Sequence, residues 1–328
     1  MTTRHLTPRE LVERAVAGDR RAVGRLLTLV ERGGAAADEI AELTHAASHE
    51  AHVIGITGSP GAGKSTMVAR LVGTFTDAGH RPAVLAVDPS SPLTGGAILG
   101  DRVRMAAVDT TAFIRSVATR GHAGGLALAI PGGARVLAAA GFDPVIIETV
   151  GVGQVEVDVT AAADTTVVVV TPGMGDAVQA NKAGLLEVAD VFVVNKADRP
   201  GADDTRRDLE LMLELSHVTG QEDAGYRPPI AMVNSLDGDG IALVRSLVDA
   251  HRHHLDSSGG RHTRRCRRAR FELESRAGLE FEQRLRAALA SPEVSSVLDQ
   301  IATGQRSPAD GLGALLTALP PPVPREPT

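Results

Sequence analysis

Gly58-Ser59-Pro60-Gly61-Ala62-Gly63-Lys64-Ser65-Thr66 is the stretch that decides the fold. It fits G-x-x-x-x-G-K-[ST], and its flanks agree with that pattern. The apolar run Val53 to Thr57 enters it as a buried strand would, and a helical pattern (Met67, Val68, Leu71, Val72, Phe75) leaves it. In a strand–loop–helix setting the glycines let backbone N–H groups approach a polyphosphate closely, and the helix N-terminus adds a favourable partial charge. Lys64 can reach the β- and γ-phosphates, and Ser65 can offer its hydroxyl to Mg²⁺. Gly58 to Thr66 are therefore the candidate phosphate-binding residues. Alone, the loop leaves an ATPase, a GTPase and a small-molecule kinase open.

Composition narrows the classes around this loop. Of 328 residues 43% are apolar, enough for a core, but aromatics are only 2% and tryptophan is absent. The core must be built from Val, Leu, Ile and Ala, and a base-stacking nucleic-acid surface is not expected. A net charge of −6 gives no general attraction to phosphate backbones or anionic membranes. A single cysteine, Cys266, excludes an internal disulfide framework and a cysteine-rich zinc or iron–sulfur site. The opening MTTRHLTPRE lacks the apolar core of a signal peptide, and no apolar run is long enough to span a bilayer, so the cytoplasm is the expected compartment.

Outward from the loop the chain alternates strands and helices, the mark of a parallel sheet with crossover helices. After the first strand, the candidates are Pro82–Val87, Pro144–Thr149, Thr166–Thr171, Val191–Asn195 and Ile230–Asn234, mostly continuous apolar runs. Helical patterns follow at about 98–108, 125–141, 176–189, 203–217 and 240–255. The expected fold class is α/β: a doubly wound, mostly parallel P-loop NTPase sheet over 51–256, with helical N- and C-terminal extensions. Residues 1–50 read as helices, the first opened by Thr7 as N-cap and Pro8 at N1; they form either a cap on the nucleotide domain or a partner surface. Asp256-Ser257-Ser258-Gly259-Gly260 reads as a break. The basic run Arg261–Arg270 then leads into a helical segment, 257–319, with further helix starts at Ser291-Pro292 and Ser307-Pro308. That run suits a solvated helix face better than a nucleic-acid contact. The tail, 320–328, is expected to be disordered.

The base specificity is written at Asn195-Lys196-Ala197-Asp198, directly after an apolar strand. This is the N-K-x-D element of G-proteins. An aspartate carboxylate accepts hydrogen bonds from the guanine N1–H and exocyclic amine, which adenine does not present in that pattern. After the next strand, Asn234-Ser235-Leu236 stands where G-proteins place a loop against the base. Between the two motifs lies the acidic set for Mg²⁺ and water: Asp88 at a strand end, Asp101 at a helix start, and Glu148 at the end of the third main strand. A nucleotide-bound Mg²⁺ keeps several waters, so one or two carboxylates near Ser65 suffice. The Gly151 N–H is placed to hold the γ-phosphate, which is the logic of a GTPase switch.

The runs VDPSSPLTGGAILGDRVRM, ETVGVGQVEVDV and GMGDAVQANKAGLLEVADVFVVNKAD closely resemble the MeaB/ArgK-type G-proteins, which include the protein defective in methylmalonic aciduria type A. The resemblance implies a Mg²⁺-dependent GTPase of low intrinsic rate, cycling between GTP and GDP. It implies a chaperone for a cobalamin-dependent acyl-CoA mutase, such as methylmalonyl-CoA mutase, that gates cofactor loading and protects or reactivates the mutase. It also implies a homodimer whose dimerisation arm is 257–319. Carried over by position, Lys64 and Ser65 serve the phosphates and metal, Asp88, Asp101 and Glu148 serve Mg²⁺ and the catalytic water, and Gln154 belongs to the second switch. Asp176, Gln179 and Lys182 fall in a further switch loop that couples nucleotide state to the mutase. Three departures from the pattern bear on the partner contact: Ala177 for the usual Glu or Gln, Asn181 for a frequent lysine, and an arm without tryptophan.

Two other functions fit these residues less well. A GTPase delivering nickel or zinc to a metalloenzyme would want Cys and His ligands near the nucleotide; the run His251 to His254 is far along the chain and suits a solvated face. An ATP-dependent small-molecule kinase is disfavoured by the N-K-x-D element.

Overall fold

The computed structural model describes residues 6–48, 50–88, 112–118, 123–149, 154–173, 188–219 and 226–321. Asp101, Gly151, Asp176, Ala177, Gln179, Asn181 and Lys182, the helix expected at 98–108 and most of that at 176–189 lie outside the described residues. So does the end of the tail. The chain divides into two compact units, Met1–Phe271 and Glu272–Thr328.

In the first unit the described strands form a seven-stranded, wholly parallel sheet. In chain order they are β1 (Val53–Gly58), β2 (Ala83–Asp88), β3 (Phe113–Ala118), β4 (Val145–Thr149), β5 (Thr165–Val170), β6 (Val191–Asn195) and β7 (Ile230–Val233). Their spatial order is β3-β2-β4-β1-β5-β6-β7. The chain winds out on one side of β1, returns to it as β4, then crosses to β5 on the other side. β1 thus lies at the point where the winding reverses, where open α/β sheets bind ligands at strand C-termini. Parallel register pairs Ile56 with Glu148, so the loop after β1 and the end of β4 must be neighbours.

Strand alternation divides the core between two faces. Ile54 and Ile56 pack with Val167, Val169 and Val193 under α4 (Lys64–Asp77) and α8 (Ile241–Ser258). Val53, Leu85, Val87 and Ile147 face the other way, onto α5 (Ala123–Ala139) and α6 (Gln154–Ala162). On that same face Val168, Val170, Phe192 and Val194 are covered by α7 (Ala202–Thr219).

The N-terminal segment forms α1 (Pro8–Val16), α2 (Arg20–Arg32) and α3 (Ala35–His45). Its capping is as the sequence indicates: Thr7 and Glu10 make a reciprocal capping box behind Pro8. These helices pack against the sheet's helical layer and β3. Leu11, Leu26 and Leu27 join the same core cluster as Leu85 and Ile130. Arg115 of β3 pairs with Glu31 of α2 at 3.0 Å and donates to Thr28 at 3.1 Å. β3 was absent from the expected strands because Arg115 and Ser116 interrupt its apolar run. That polarity is what anchors it to α2.

A second difference concerns the basic run. Gly259, in the left-handed conformation at φ +76°, separates α8 from α9 (Gly260–Leu289), whose first turns carry the arginines. Several are not solvated. Arg264 Nη2 donates to Asp190 Oδ1 and Arg268 Nη2 to Asp164 Oδ1, both at 2.5 Å, while Arg267 reaches the Thr160 carbonyl at 3.2 Å. Each aspartate uses its other oxygen to accept a strand-entry N–H, Thr166 N for Asp190 at 2.8 Å and Val53 N for Asp164 at 2.9 Å. The basic run thus staples α9 to the N-terminal edge of the sheet. His251 likewise turns inward, 1% exposed, its Nδ1 2.7 Å from Thr165 Oγ1, instead of lining a solvated face.

The second unit contains the remainder of α9, α10 (Pro292–Ala302) and α11 (Pro308–Thr317). Ser291 and Ser307 cap the last two, each ahead of a proline at N1, as the sequence indicates.

Candidate functional site

The loop after β1 is closed by steric necessity at two glycines. Gly58 has φ +137°, and a Cβ there would lie 2.1 Å from the Val169 carbonyl oxygen of β5. Gly63 has φ +87°, and its Cβ would lie 2.4 Å from Asn195 Nδ2. Neither side-chain placement is tolerable, so β1 and the loop fit against β5 and the end of β6 only without side chains. Lys64 opens α4, is buried, and donates from Nζ to the carbonyls of Gly58 at 2.6 Å and Ser59 at 3.0 Å. It therefore sits inside the curl of the loop, with Ser59, Pro60, Gly61 and Ala62 around it.

Ser65 follows on α4, and its Oγ donates to Glu148 Oε1 at 2.5 Å. Glu148 is 5% exposed, the penultimate residue of β4. Next to it Thr149 Oγ1 donates to Thr57 Oγ1 at 3.3 Å, linking β4 to β1. No motif letter marks Thr57 or Thr149, and sequence reasoning passed over both. The hydroxyl of Ser65 and the carboxylate of Glu148 form an all-oxygen donor pair, the chemistry a Mg²⁺ ion selects. Asp88 ends β2, and Gln154 opens α6, at strand and helix termini on this side of the sheet; their side chains lie outside the described residues.

The N-K-x-D residues come to the same loop from the other side. Asn195, 2% exposed at the end of β6, donates from Nδ2 to the Ala62 carbonyl at 2.7 Å. Its Oδ1 accepts from Ser235 N at 3.2 Å and Ser235 Oγ at 2.8 Å. Lys196 has φ +59°, unusual for a residue with a side chain, and donates from Nζ to the Gly61 carbonyl at 2.8 Å. Asp198 is exposed in the turn that follows. Asn234 accepts from Leu236 N at 3.1 Å and donates to Asp237 at 2.5 Å, shaping the loop that carries Ser235. The structure therefore brings together, across 177 residues of chain from Gly58 to Ser235, the loop, Ser65, Glu148, Asn195, Lys196 and the 234–236 turn. Ser235, in the turn expected against the base, is bonded to Asn195 by two hydrogen bonds.

The opposite edge of the sheet carries a separate polar cluster. Thr165 Oγ1 lies 2.7 Å from both His52 Nε2 and His251 Nδ1. Burial, followed by the positive charge of Arg252, pushes His52 down to about 3, and burial lowers His251 as well. These rings are held neutral and engaged, and among the described residues no cluster of three or more His, Cys, Asp and Glu is arranged to hold a metal. Nor is any helix there long and apolar enough to cross a membrane.

Comparison with known proteins matches residues 23–290 to the family described as "Methylmalonyl Co-A mutase-associated GTPase MeaB". A Pyrococcus abyssi protein named as a GTPase is 42% identical over 312 residues, 94% of this chain and 96% of its own. Fused isobutyryl-CoA mutase of Geobacillus kaustophilus is 36% identical over 251 residues, covering 73% of this chain but 23% of that longer protein. Among solved structures, the crystal structure of an LAO/AO transport system kinase matches 94% of this chain and 96% of its own, with 25% identity and a TM-score of 0.69.

Proposed function

The chain belongs to the MeaB family of methylmalonyl-CoA mutase-associated GTPases, and from that membership we propose that it hydrolyses GTP to GDP and phosphate as a chaperone of a cobalamin-dependent acyl-CoA mutase. Its turnover would gate cofactor loading and the protection or reactivation of the mutase. The observation that carries the partner is the relative in which a homologous region is part of a fused isobutyryl-CoA mutase. A GTPase joined covalently to a mutase needs no diffusional encounter, and a separate chain of the same family would make the same contact between two proteins.

In this reading the loop from Gly58 to Thr66 wraps the triphosphate with its backbone N–H groups, and Lys64 transfers its ammonium from loop carbonyls to the β- and γ-phosphate oxygens. Asn195 and Lys196 hold the loop in shape from the base side, through the Ala62 and Gly61 carbonyls. Asp198 reads the guanine edge, and Asn234, Ser235 and Leu236 back the base. Glu148 orients the attacking water, with Asp101 assisting, and Gly151 and Gln154 respond to the γ-phosphate. Asp176, Gln179 and Lys182 relay that state to the mutase. Ser65 and Glu148, with Asp88 and Asp101, would hold Mg²⁺, and their oxygen-only donor set fits that ion. When bound it neutralises charge developing on the phosphates. Catalysis by the chain's own residues is positioning and electrostatic stabilisation, with no covalent step on the protein. We assign the protein to the cytoplasm as a homodimer through 257–319, where Leu273, Leu298, Leu312 and Leu316 are exposed.

One solved relative is named a transport system kinase, which favours a second reading, ATP-dependent phosphorylation of a small molecule. Phosphate release from GTP and from ATP, each with and without an acyl-CoA mutase, separates the two. GTP-selective release whose rate changes with the mutase supports the chaperone. Preference for ATP, or a GTPase rate indifferent to every cobalamin mutase offered, overturns it.

A further inference from the structure

The 234–236 turn is held from two directions, and only one of them belongs to the N-K-x-D element. Ser235 is bonded to Asn195. The next carbonyl, that of Leu236, accepts from Arg70 Nη2 at 2.5 Å, across 166 residues of sequence. Arg70 lies on α4, the helix that begins with Lys64 and Ser65. A closed ring of contacts results: the loop carbonyl of Ala62 to Asn195, Asn195 to Ser235, Leu236 to Arg70, and α4 back to the loop.

Within that ring the Leu236 side chain is 74% exposed, although a leucine is costly to leave in water. Its backbone is fixed at both ends, N–H to Asn234 Oδ1 and carbonyl to Arg70. An aliphatic side chain held out beside the base-reading residues suits the flat face of a purine. We propose that Arg70 is a positioning residue for nucleotide retention: it fixes Leu236 against the face of the guanine base and couples that contact to the phosphate-binding helix. This rests on the guanine-nucleotide reading given above.

α4 does not depend on Arg70 for its own placement. Arg245 of α8 donates to the Thr74 carbonyl at 2.8 Å and lies 5.3 Å from the Phe75 ring centroid, and Leu71 and Phe75 are in the core with Val244 and Val248. Removing the Arg70 guanidinium therefore frees the turn and leaves the helix in place.

The experiment measures release of a fluorescent GDP analogue from the full chain, with Arg70→Met, Arg70→Lys, Leu236→Ala and the double variant Arg70→Met/Leu236→Ala. Loss of one charge-assisted hydrogen bond should speed release from Arg70→Met roughly fivefold to tenfold. KM for GTP should rise in proportion, with kcat at saturation and the melting temperature unchanged. Because a base face is contacted, and not its edge, the GDP-to-IDP affinity ratio should stay at the wild-type value. Arg70→Lys should recover most of the loss, and the double variant should release no faster than the faster single variant. Wild-type release from Arg70→Met, a changed GDP-to-IDP ratio, or additive effects in the double variant would each overturn the inference alone. A wild-type chain that fails to hold the GDP analogue overturns the guanine-nucleotide reading itself.

Discussion

Ser65 and Glu148, 83 residues apart in sequence, are joined by a hydrogen bond of 2.5 Å from Oγ to Oε1. The contact exists because β4 is inserted beside β1 in the sheet and pairs Ile56 with Glu148, so the strand that feeds the loop runs next to the strand that ends in the acid. A hydroxyl at a helix N-terminus and a buried carboxylate at a strand end then face one another beside the Gly58–Thr66 loop.

Glu148→Gln keeps the shape of this 5% exposed side chain and removes its charge. GTP hydrolysis should fall about 100-fold, the scale of losing one electrostatic catalytic group, while GDP affinity changes only a few-fold. Single-turnover phosphate release and titration with a fluorescent GDP analogue measure the two. Hydrolysis within a few-fold of wild type would remove Glu148 from the catalytic set.

Gly63→Ala tests the fit between the loop and β6. The added Cβ would meet Asn195 Nδ2 at 2.4 Å in a left-handed backbone, and either the loop or the asparagine must shift. We expect a cost of about 1–3 kcal/mol, expressed mainly as weaker GDP binding. Gly61→Ala is the control. Its φ is also positive, at +74°, but its Cβ would meet nothing within 4 Å, so it carries backbone strain without the clash. Equal losses in both variants would deny Asn195 its part in shaping the loop.

Much of this site could be read from the chain because its parts are contiguous motifs. The loop, Asn195-Lys196-Ala197-Asp198 and the strand ending in Glu148 each carry their chemistry in adjacent letters. The elements that could not be read obey a tertiary partner instead. β3 has arginine in mid-strand because Glu31 waits on α2. α6 reads Val155-Glu156-Val157-Asp158-Val159, a period of two that suggests a strand, yet it forms a helix packed beside β1 and β4. The arginines of α9 look like a solvated face until Asp164 and Asp190, each placed just before a strand, are seen to meet them. Charge composition alone does not reveal such pairings.

Those pairings should matter to stability. Asp190 is 4% exposed, with Arg264 on one oxygen and the Thr166 N–H on the other. Asp190→Ala leaves a guanidinium and a strand N–H without this partner and should cost about 3–5 kcal/mol in urea unfolding. Arg270→Ala, at an exposed position of the same helix, gives the comparison for losing an arginine there. A loss below about 1 kcal/mol for Asp190→Ala would mean the staple contributes little.

The buried histidines make stability depend on pH in a definite direction. His52 in the folded chain takes a proton only near 3, chiefly because it is buried and secondarily because of Arg252, and His251 is lowered by burial too. In the unfolded chain both would take it near the ordinary value of about 6.5. Below that value the unfolded state binds more protons, so the stabilisation is complete above about pH 6.5 and is lost progressively as pH falls toward 3. His52 contributes a slope approaching about 1.4 kcal/mol per pH unit, and His251 adds to it in the same direction. Between pH 7.5 and 5.5, where most carboxylates stay ionised, His52 alone should account for a loss of about 1.4 kcal/mol. Urea midpoints across this range, for wild type and His52→Gln, measure it. The variant has no ring to protonate and should show a flatter dependence, at the expense of some stability at pH 7.5 from the altered contact with Thr165. Parallel curves for the two proteins would show that His52 is not kept neutral by the fold.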